Sequence, residues 1–251
     1  MHQLLQLAIN ACEAACKEIL DVYNSGNFQT EAKDDNSPLT LADKKAHNVI
    51  VSMLRSSNLP ILSEEGKHIA YEERSRWQRF WLVDPLDGTK EFLKRNGEFT
   101  VNIALIENQK PVLGVVAIPV NGDVFYAQQG SGAFVKRNGS IILLPRRSPI
   151  DLNRVGVKVV ASRSHMSDET QAFIQSLADP ILVSQGSSLK FMLLAEGNAD
   201  VYPRFAPTME WDTAAAHAIV NETGISVLQK DTNDSLIYNK PDLLNPYFIC
   251  M

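Results

Sequence analysis

The sequence predicts an α/β fold in two subdomains. Three observations predict it: helical apolar spacing in the first quarter, a meander of strands in the middle, and strand–helix alternation after about residue 150. Residues 3–23 repeat Leu4, Ala8, Ala11, Ala15, Ile19 and Val22 at helical spacing. After a polar stretch ending at Pro38, a second helix is expected from Leu41 to Arg55, with Ala42, Ala46, Val49, Ile50 and Met53 on one face. Thr40 suits its N-cap, and Asp43 three residues on completes a capping box. A short apolar segment, Pro60-Ile61-Leu62, leads into Ser63-Glu64-Glu65. A charged helical piece then precedes Phe80-Trp81-Leu82-Val83, which reads as a buried strand. That strand runs into Asp84-Pro85-Leu86-Asp87-Gly88-Thr89, where Pro85 and Gly88 predict a tight turn. Strands are expected at Thr100–Ile106, Val112–Ile118, Val124–Ala127 and Ala133–Lys136, with turns at Asn121-Gly122 and Asn138-Gly139. Then come a strand at Val155–Ala161, a helix at Asp168–Leu177, a strand at Ile181–Ser184 and a helix at Ser188–Glu196. The last helix starts near Trp211 and ends near Gly224. The composition changes near residue 135, dividing the chain into 1–135 (α+β) and 136–251 (α/β).

Composition excludes several classes. The 251 residues are 45% hydrophobic and 21% charged, the balance of an ordinary globular protein. The net charge of −5 argues against binding a nucleic-acid polymer, which needs a basic face. Cys12, Cys16 and Cys250 form no disulfide framework and read as buried thiols. The N-terminal helix carries Glu13 and Lys17 and lacks a basic start, so it does not read as a signal peptide. No apolar run reaches membrane-span length. The expected location is cytoplasmic. The five histidines show no zinc spacing, and there is no P-loop motif.

The chemistry sits in the acids. The run Asp84-Pro-Leu-Asp87-Gly-Thr89 is expected by chance on the order of once in ten thousand chains of this length. A Pro-restricted strand exit followed by Gly can aim Asp84, the Leu86 carbonyl and Asp87 at one spot, an oxygen set suited to Mg²⁺. An ordinary turn uses the same residue types. Asp212, in Glu210-Trp211-Asp212-Thr213, also suits the first turn of a helix, as Asp43 suits a capping box. Two divalent ions about 3.5–4 Å apart would suit phosphoryl transfer, one acidifying a water and one holding the leaving oxygen. Gly186-Ser187-Ser188 reads as a helix start able to bind phosphate, with Lys190 one turn in and Arg204 as a bidentate partner. The plainer readings are an N-cap for Ser187, a solvated helix face for Lys190 and an idle loop position for His165.

Together, Asp84-Pro-Leu-Asp-Gly-Thr89 and Trp211-Asp212-Thr213-Ala214-Ala215 resemble the two signatures of the inositol monophosphatase superfamily. Thr40-Leu-Ala-Asp43 and Ser63-Glu64-Glu65 sit where that superfamily has its other functional acids, so the resemblance spans residues 38–224. Lys90-Glu91-Phe92 after the Gly-Thr, Ser187-Ser188-Leu189-Lys190 and Tyr202-Pro203-Arg204-Phe205 are most similar to its 3′(2′),5′-bisphosphate nucleotidase branch, the CysQ type. One departure is Ala216, where many members have Gly; Ala suits a helix interior.

The resemblance implies a layered αβαβα sandwich with the metal site between two subdomains. It implies a Mg²⁺ enzyme with two or three ions, inhibited by Li⁺, that removes the 3′-phosphate of adenosine 3′,5′-bisphosphate by in-line attack of a metal-bound hydroxide. That activity clears a by-product of sulfate assimilation. Glu64, Asp84 and the Leu86 carbonyl would hold one ion, and Asp84, Asp87 and Asp212 another. A looser third ion would lie near Glu64. Thr89 paired with Asp43 would orient the attacking water. Gly88 and Thr89 would meet the phosphate through their backbone, with nucleotide contacts at His165, Ser187, Lys190 and Arg204. An inositol- or sugar-phosphate phosphatase on the same site is the alternative, and a non-catalytic metal sensor a more distant one. Some relatives associate with the inner membrane surface, but no basic amphipathic helix for this is present. Oligomeric state is not encoded in any of these features.

Overall fold

The N-terminal periodicity forms helix α1 (His2–Ser25), which buries Ala8, Ala11, Cys12, Ala15, Ile19 and Val22 on one stripe. The computed structural model describes residues 2–32, 38–161 and 166–251. A short pair, β1 (Glu31–Ala32) and β2 (Pro38–Leu39), precedes α2 (Leu41–Leu54). The capping box forms as expected. The Thr40 hydroxyl accepts from the Ala42 N–H, and Asp43 Oδ2 accepts from the Thr40 N–H at 2.7 Å.

The chain then lays down β3 (Ile61–Ser63), the single turn α3 (Tyr71–Arg74) and β4 (Arg79–Asp87). A short α4 (Thr89–Leu93) follows, then β5 (Thr100–Glu107), β6 (Lys110–Ala117), β7 (Val124–Gln128), β8 (Ala133–Arg137) and β9 (Ser140–Leu143). These seven strands form one sheet in chain order. Only β3–β4 is parallel, and each later pair is antiparallel. The second half adds β10 (Lys158–Ala161), α5 (Asp168–Gln175), β11 (Ile181–Ser184), α6 (Leu189–Glu196), β12 (Tyr202–Arg204), α7 (Glu210–Glu222), β13 (Val227–Gln229) and β14 (Phe248–Cys250). Parallel β10–β11 and antiparallel β12-β14-β13 meet through a bridge between Val159 and Val201, making a second sheet surface.

Side-chain alternation sorts these elements into five layers. Trp81 and Val83 of β4, with Val101, Ile103 and Leu105 of β5, pack against α1 and α2. Phe80 and Leu82, with Ala104 and Ile106, point the other way, into a core shared with α6, α7, Tyr202 and Phe248. On the far side of the second sheet, Val157, Val159 and Val201 pack with Ile174 and Phe173 of α5. The order is α–β–α–β–α, the sandwich implied by the resemblance. The expected division near residue 135 falls inside β8, which pairs with both β7 and β9.

Several local expectations change. The turn expected at 84–89 is confined to Gly88: β4 runs on to Asp87, with Asp84 paired to Asn102 and Asp87 to Thr100, so that residues 85 and 86 oppose residue 101 alone. This is a one-residue bulge, the usual device for re-aiming side chains at a strand's end. Only residues 71–74 of the charged segment before β4 are helical. Its Arg74 is buried and donates to Asn239 Oδ1 and to the Lys240 and Pro241 carbonyls. Strand β10 begins at Lys158 rather than Val155, because Gly156 takes a φ of +77°.

Helix α7 lies directly on the large sheet at Gly114. A Cβ at Gly114 would collide with the Ala215 carbonyl oxygen and lie 2.9 Å from the Ala218 methyl. Ala215 and Ala218 make this approach possible, and Ala216, the departure noted above, is also fully buried. Replacing Gly114 by Ala is therefore expected to destabilise the fold by about 1–3 kcal/mol through overpacking, read as a lower thermal midpoint.

Behind α7, the buried His217 ring faces the Tyr238 hydroxyl at 2.8 Å. Burial lowers its pKa from 6.5 to about 3. Below pH 6.5 the unfolded chain binds a proton that the folded chain refuses. Stability is therefore lost as pH falls from 6.5 toward 3, by on the order of 1.4 kcal/mol per pH unit from this group. Denaturant titrations between pH 6 and pH 4 should show a shallower pH slope in His217→Asn than in the wild type.

Candidate active site

Each acid is set in place by ordinary local structure. Glu64 follows β3, its N–H bonded to the Val83 carbonyl at 3.1 Å, which places it beside the end of β4. Asp84 is buried and accepts the Leu86 N–H at 3.0 Å across the bulge. Asp87 ends β4. Gly88 caps α4 with φ +93°, and a Cβ there would stand 2.9 Å from the Glu98 carbonyl oxygen and 3.3 Å from Ser187 Cβ. Asp212, in the first turn of α7, accepts the Met209 N–H at 2.9 Å.

Thr89 Oγ1 stands 3.2 Å from Asp43 Oδ1 and 3.3 Å from the Leu86 carbonyl oxygen. Asp43 Oδ2 is already fixed by the Thr40 N–H and hydroxyl. Asp43 thus closes the capping box with one oxygen and meets Thr89 with the other, so the helix-capping reading and the functional one are both satisfied.

The electrostatics are hostile to ionised acids. Burial, then the charges of Glu64, Asp87 and Asp212, push the Asp84 carboxyl well above its ordinary range. Burial and Asp87 push Asp212 up to about 8. Across the same cleft Lys190 is buried, not on a solvated helix face, and burial lowers its pKa to about 8. Its ammonium donates to the Ser187 carbonyl at 3.0 Å.

One cleft of about 550 Å³ gathers Asp87, Gly88, Ser187, Lys190, Arg204 and Asp212 on its walls. Asp43, Glu64, Asp84, Leu86 and Thr89 stand behind its acidic end through the contacts above. Ser187 takes a φ of +43°, and its buried Oγ has no hydrogen-bond partner among the described residues. The same holds for Arg204 Nε, while Arg204 Nη2 donates to the Pro207 carbonyl at 2.8 Å. Both residues line the cleft, and the Arg204 guanidinium brings it a group able to pair with an oxyanion. His165 lies outside the described residues.

The helix start at 186–188 departs from its expected use. Helix α6 begins at Leu189, so the N-cap position is Ser188 rather than Ser187. The Ser188 N–H goes to Asp87 Oδ2 at 2.7 Å, so that donor serves a carboxylate of the protein itself. Sequence reasoning missed Ser188 and Asn102 as neighbours of Asp87. The Ser188 hydroxyl is 3.0 Å and Asn102 Nδ2 3.4 Å from Asp87 Oδ2. The available signal was an Asn facing inward in the otherwise apolar run Val101-Asn102-Ile103-Ala104-Leu105.

The donor chemistry fits a hard divalent cation: carboxylates, one main-chain carbonyl and no sulfur or imidazole. Mg²⁺ is bound through few carboxylates plus water and substrate oxygens. A complete cage of acids is therefore not required, and among the described residues no group of three His, Cys, Asp or Glu forms one.

The inositol monophosphatase family model matches residues 1–250. The chain belongs to the inositol monophosphatase family. This family comprises metal-dependent phosphatases. A curated family relative, the 3′(2′),5′-bisphosphate nucleotidase CysQ of Salmonella typhimurium, is 47% identical over 99% of this chain and 98% of its own length. The crystal structure of CysQ from Bacteroides thetaiotaomicron, a bacterial family member, superposes with a TM-score of 0.86. It is 46% identical, with 99% of this chain and 96% of that one covered. An inositol monophosphatase structure from Thermotoga maritima shares the family fold at a TM-score of 0.79 and 24% identity, covering 100% and 92% of the two chains.

Gly88→Ala combines a left-handed φ with a clash against the Glu98 carbonyl. Displacing the start of α4 by about 1 Å would cost on the order of a hundredfold in rate. The expected outcome is a folded protein, by circular dichroism, with phosphatase activity reduced to that extent.

Proposed function

We propose that this protein is a Mg²⁺-dependent 3′(2′),5′-bisphosphate nucleotidase that converts adenosine 3′,5′-bisphosphate to AMP and phosphate. The observation that carries the reading is one cleft with carboxylates at one end and Lys190 and Arg204 on its wall. A phosphate monoester needs the acids and their metal; a second phosphate needs the extra cations, which a bare polyol does not. The full-length similarity to proteins named for this activity supports the same substrate.

In this reading Glu64, Asp84 and the Leu86 carbonyl would hold one ion, and Asp84, Asp87 and Asp212 a second, with a looser third near Glu64 assigned on the family resemblance. Bound Mg²⁺ supplies positive charge against the phosphoryl oxygens and acidifies water. The protein's own groups do the rest. Thr89 Oγ1 donates its proton to Asp43 and keeps a lone pair for the attacking water, fixing that water's direction. As the water oxygen bonds to phosphorus the P–O bond to the 3′-oxygen breaks; the water proton passes to Thr89 Oγ1, the threonine proton to Asp43 Oδ1, and the leaving oxygen takes a proton from solvent in the cleft. The backbone at Gly88 and Thr89 meets the reacting phosphate. Ser187, Lys190 and Arg204 bind the nucleotide, and His165 is assigned with them on the family resemblance. The two-subdomain organisation and a cytoplasmic role in clearing a by-product of sulfate assimilation belong to the same proposal. Among the described residues no helix is long and apolar enough to cross a membrane.

Phosphate release with Mg²⁺ from adenosine 3′,5′-bisphosphate and from inositol 1-phosphate, side by side, tests the assignment. Strong preference for the nucleotide is expected. Preference for the inositol ester would overturn the substrate, and absence of turnover on either would overturn the activity. Lys190→Met should raise KM for the bisphosphate about ten- to a hundredfold, the worth of one hydrogen bond to a charged group. An unchanged KM would remove Lys190 from the substrate site.

A further inference from the structure

Asp87 sits among like charges, yet its carboxylate is held on one side only. Among the described residues, every hydrogen bond it accepts falls on Oδ2: the Ser188 N–H at 2.7 Å, the Ser188 hydroxyl at 3.0 Å and Asn102 Nδ2 at 3.4 Å. Oδ1 is left for a cation. Behind these donors stands a buried polar chain. Asn102 Nδ2 donates to Ser188 Oγ at 3.0 Å, and the Thr100 hydroxyl donates to Asn102 Oδ1 at 3.1 Å. A carboxylate can only accept, so the Asn102 amide must turn its NH₂ toward Asp87, and Thr100 holds that orientation. Ser188 Oγ is also 3.0 Å from the Asp212 carbonyl oxygen. Ser188 therefore touches both β4 and α7, the elements that carry the two acids. Thr100, Asn102 and Ser188 are each no more than 1% exposed, so these bonds form in a low-dielectric setting where donors to a carboxylate are strong.

We propose that Ser188 and Asn102 are positioning residues that hold Asp87 against the repulsion of its neighbouring acids and so set the affinity of the cation site it shares with Asp212. This rests on the proposed function insofar as that site is the catalytic one. Without the Ser188 hydroxyl, Asp87 keeps the Ser188 N–H and the 3.4 Å contact with Asn102. Asn102 loses an acceptor, and the carboxylate is held less firmly in place. Partners of this kind typically change metal affinity by about ten- to a hundredfold.

The test uses the full-length protein without substrate, with Mn²⁺ as the probe and free Mn²⁺ read by electron paramagnetic resonance. Ser188→Ala should raise the Mn²⁺ dissociation constant at least tenfold. In turnover assays it should raise the Mg²⁺ concentration for half-maximal rate by a similar factor. KM for the nucleotide at saturating Mg²⁺ should stay within twofold, and Ser188→Thr, which keeps a hydroxyl, should restore affinity. If Ser188→Ala fails to fold, Asn102→Ala reads the same shift with Ser188 intact. An unchanged dissociation constant in the folded variants, or a fall in thermal stability alone, overturns the positioning role. If wild type binds Mn²⁺ and the variants shift that affinity while neither nucleotide nor inositol phosphate is turned over, the positioning role stands and the phosphatase reading fails. A wild type that binds no Mn²⁺ overturns both.

Discussion

Asp84 and Asp212 lie where burial and the charges of Glu64 and Asp87 oppose their ionisation. Left to themselves, such groups would rotate into solvent or take up protons. The fold prevents the first by tying three of the acids to the backbone. Asp84 is held by the Leu86 N–H across the bulge, Asp87 by the Ser188 N–H, and Asp212 by the Met209 N–H. Three main-chain donors from three different elements converge on three acids. Hydrogen bonds to charged acceptors are worth about 1.5–3 kcal/mol each. They offset part of the repulsion without neutralising it, and the remainder is what a divalent cation can relieve.

The architecture follows from that need. Asp84 and Asp87 are on the large sheet, Asp212 is on the helix layer above it, and Asp43 is on the helix layer below. Their relative positions are therefore set by layer packing rather than by a single loop. The contact of α7 with Gly114 and the capping box of α2 are the two places where this packing is most sharply defined. Small residues on the inner face of α7 let the helix sit close enough for its first turn to reach the end of β4. The capping acids contribute because a helix start fixes the direction of a short side chain. Asp43 and Asp212 each satisfy a backbone N–H with one oxygen, which orients the rest of the carboxylate.

Much of this was legible in the sequence because it rests on local rules. Helical spacing gave α1 and α2, turn dipeptides gave the meander, and the capping box was readable from Thr40 and Asp43 alone. The acids stood out through the rarity of the Asp-Pro-x-Asp-Gly-Thr run and the recurrence of acids at strand ends and helix starts. What was not legible depended on contacts distant in sequence. The bulge at 84–87 exists only against β5, so Pro85 read as the start of a turn that in fact begins at Gly88. Lys190 looked like a surface residue because its burial is imposed by Tyr202 and the cleft wall, not by its own helix. The burial of Arg74 likewise comes from the 239–241 segment, which accepts its guanidinium hydrogen bonds. Ser188 was read as part of a phosphate-binding helix start, since no local rule reveals that a carboxylate 101 residues earlier takes its N–H.

The two charge sets in the cleft are also interdependent. Lys190 is disfavoured by burial and by Arg204, and is supported by Asp87, Glu91 and Asp212. The acids that would hold a cation are thus among the groups that keep the anion-binding lysine charged. Under the proposed function, neutralising Asp87 and Asp212 removes negative field from the cleft, and an arriving phosphate takes over the support those acids gave Lys190. An incoming phosphate then meets a more attractive surface than the bare acids present. By linkage, the same phosphate must strengthen cation binding by an equal factor. A protein with a net charge of −5 can in this way select a multiply anionic substrate. Its overall field does not attract the ligand; local placement of a few cations beside a neutralisable acidic cluster does.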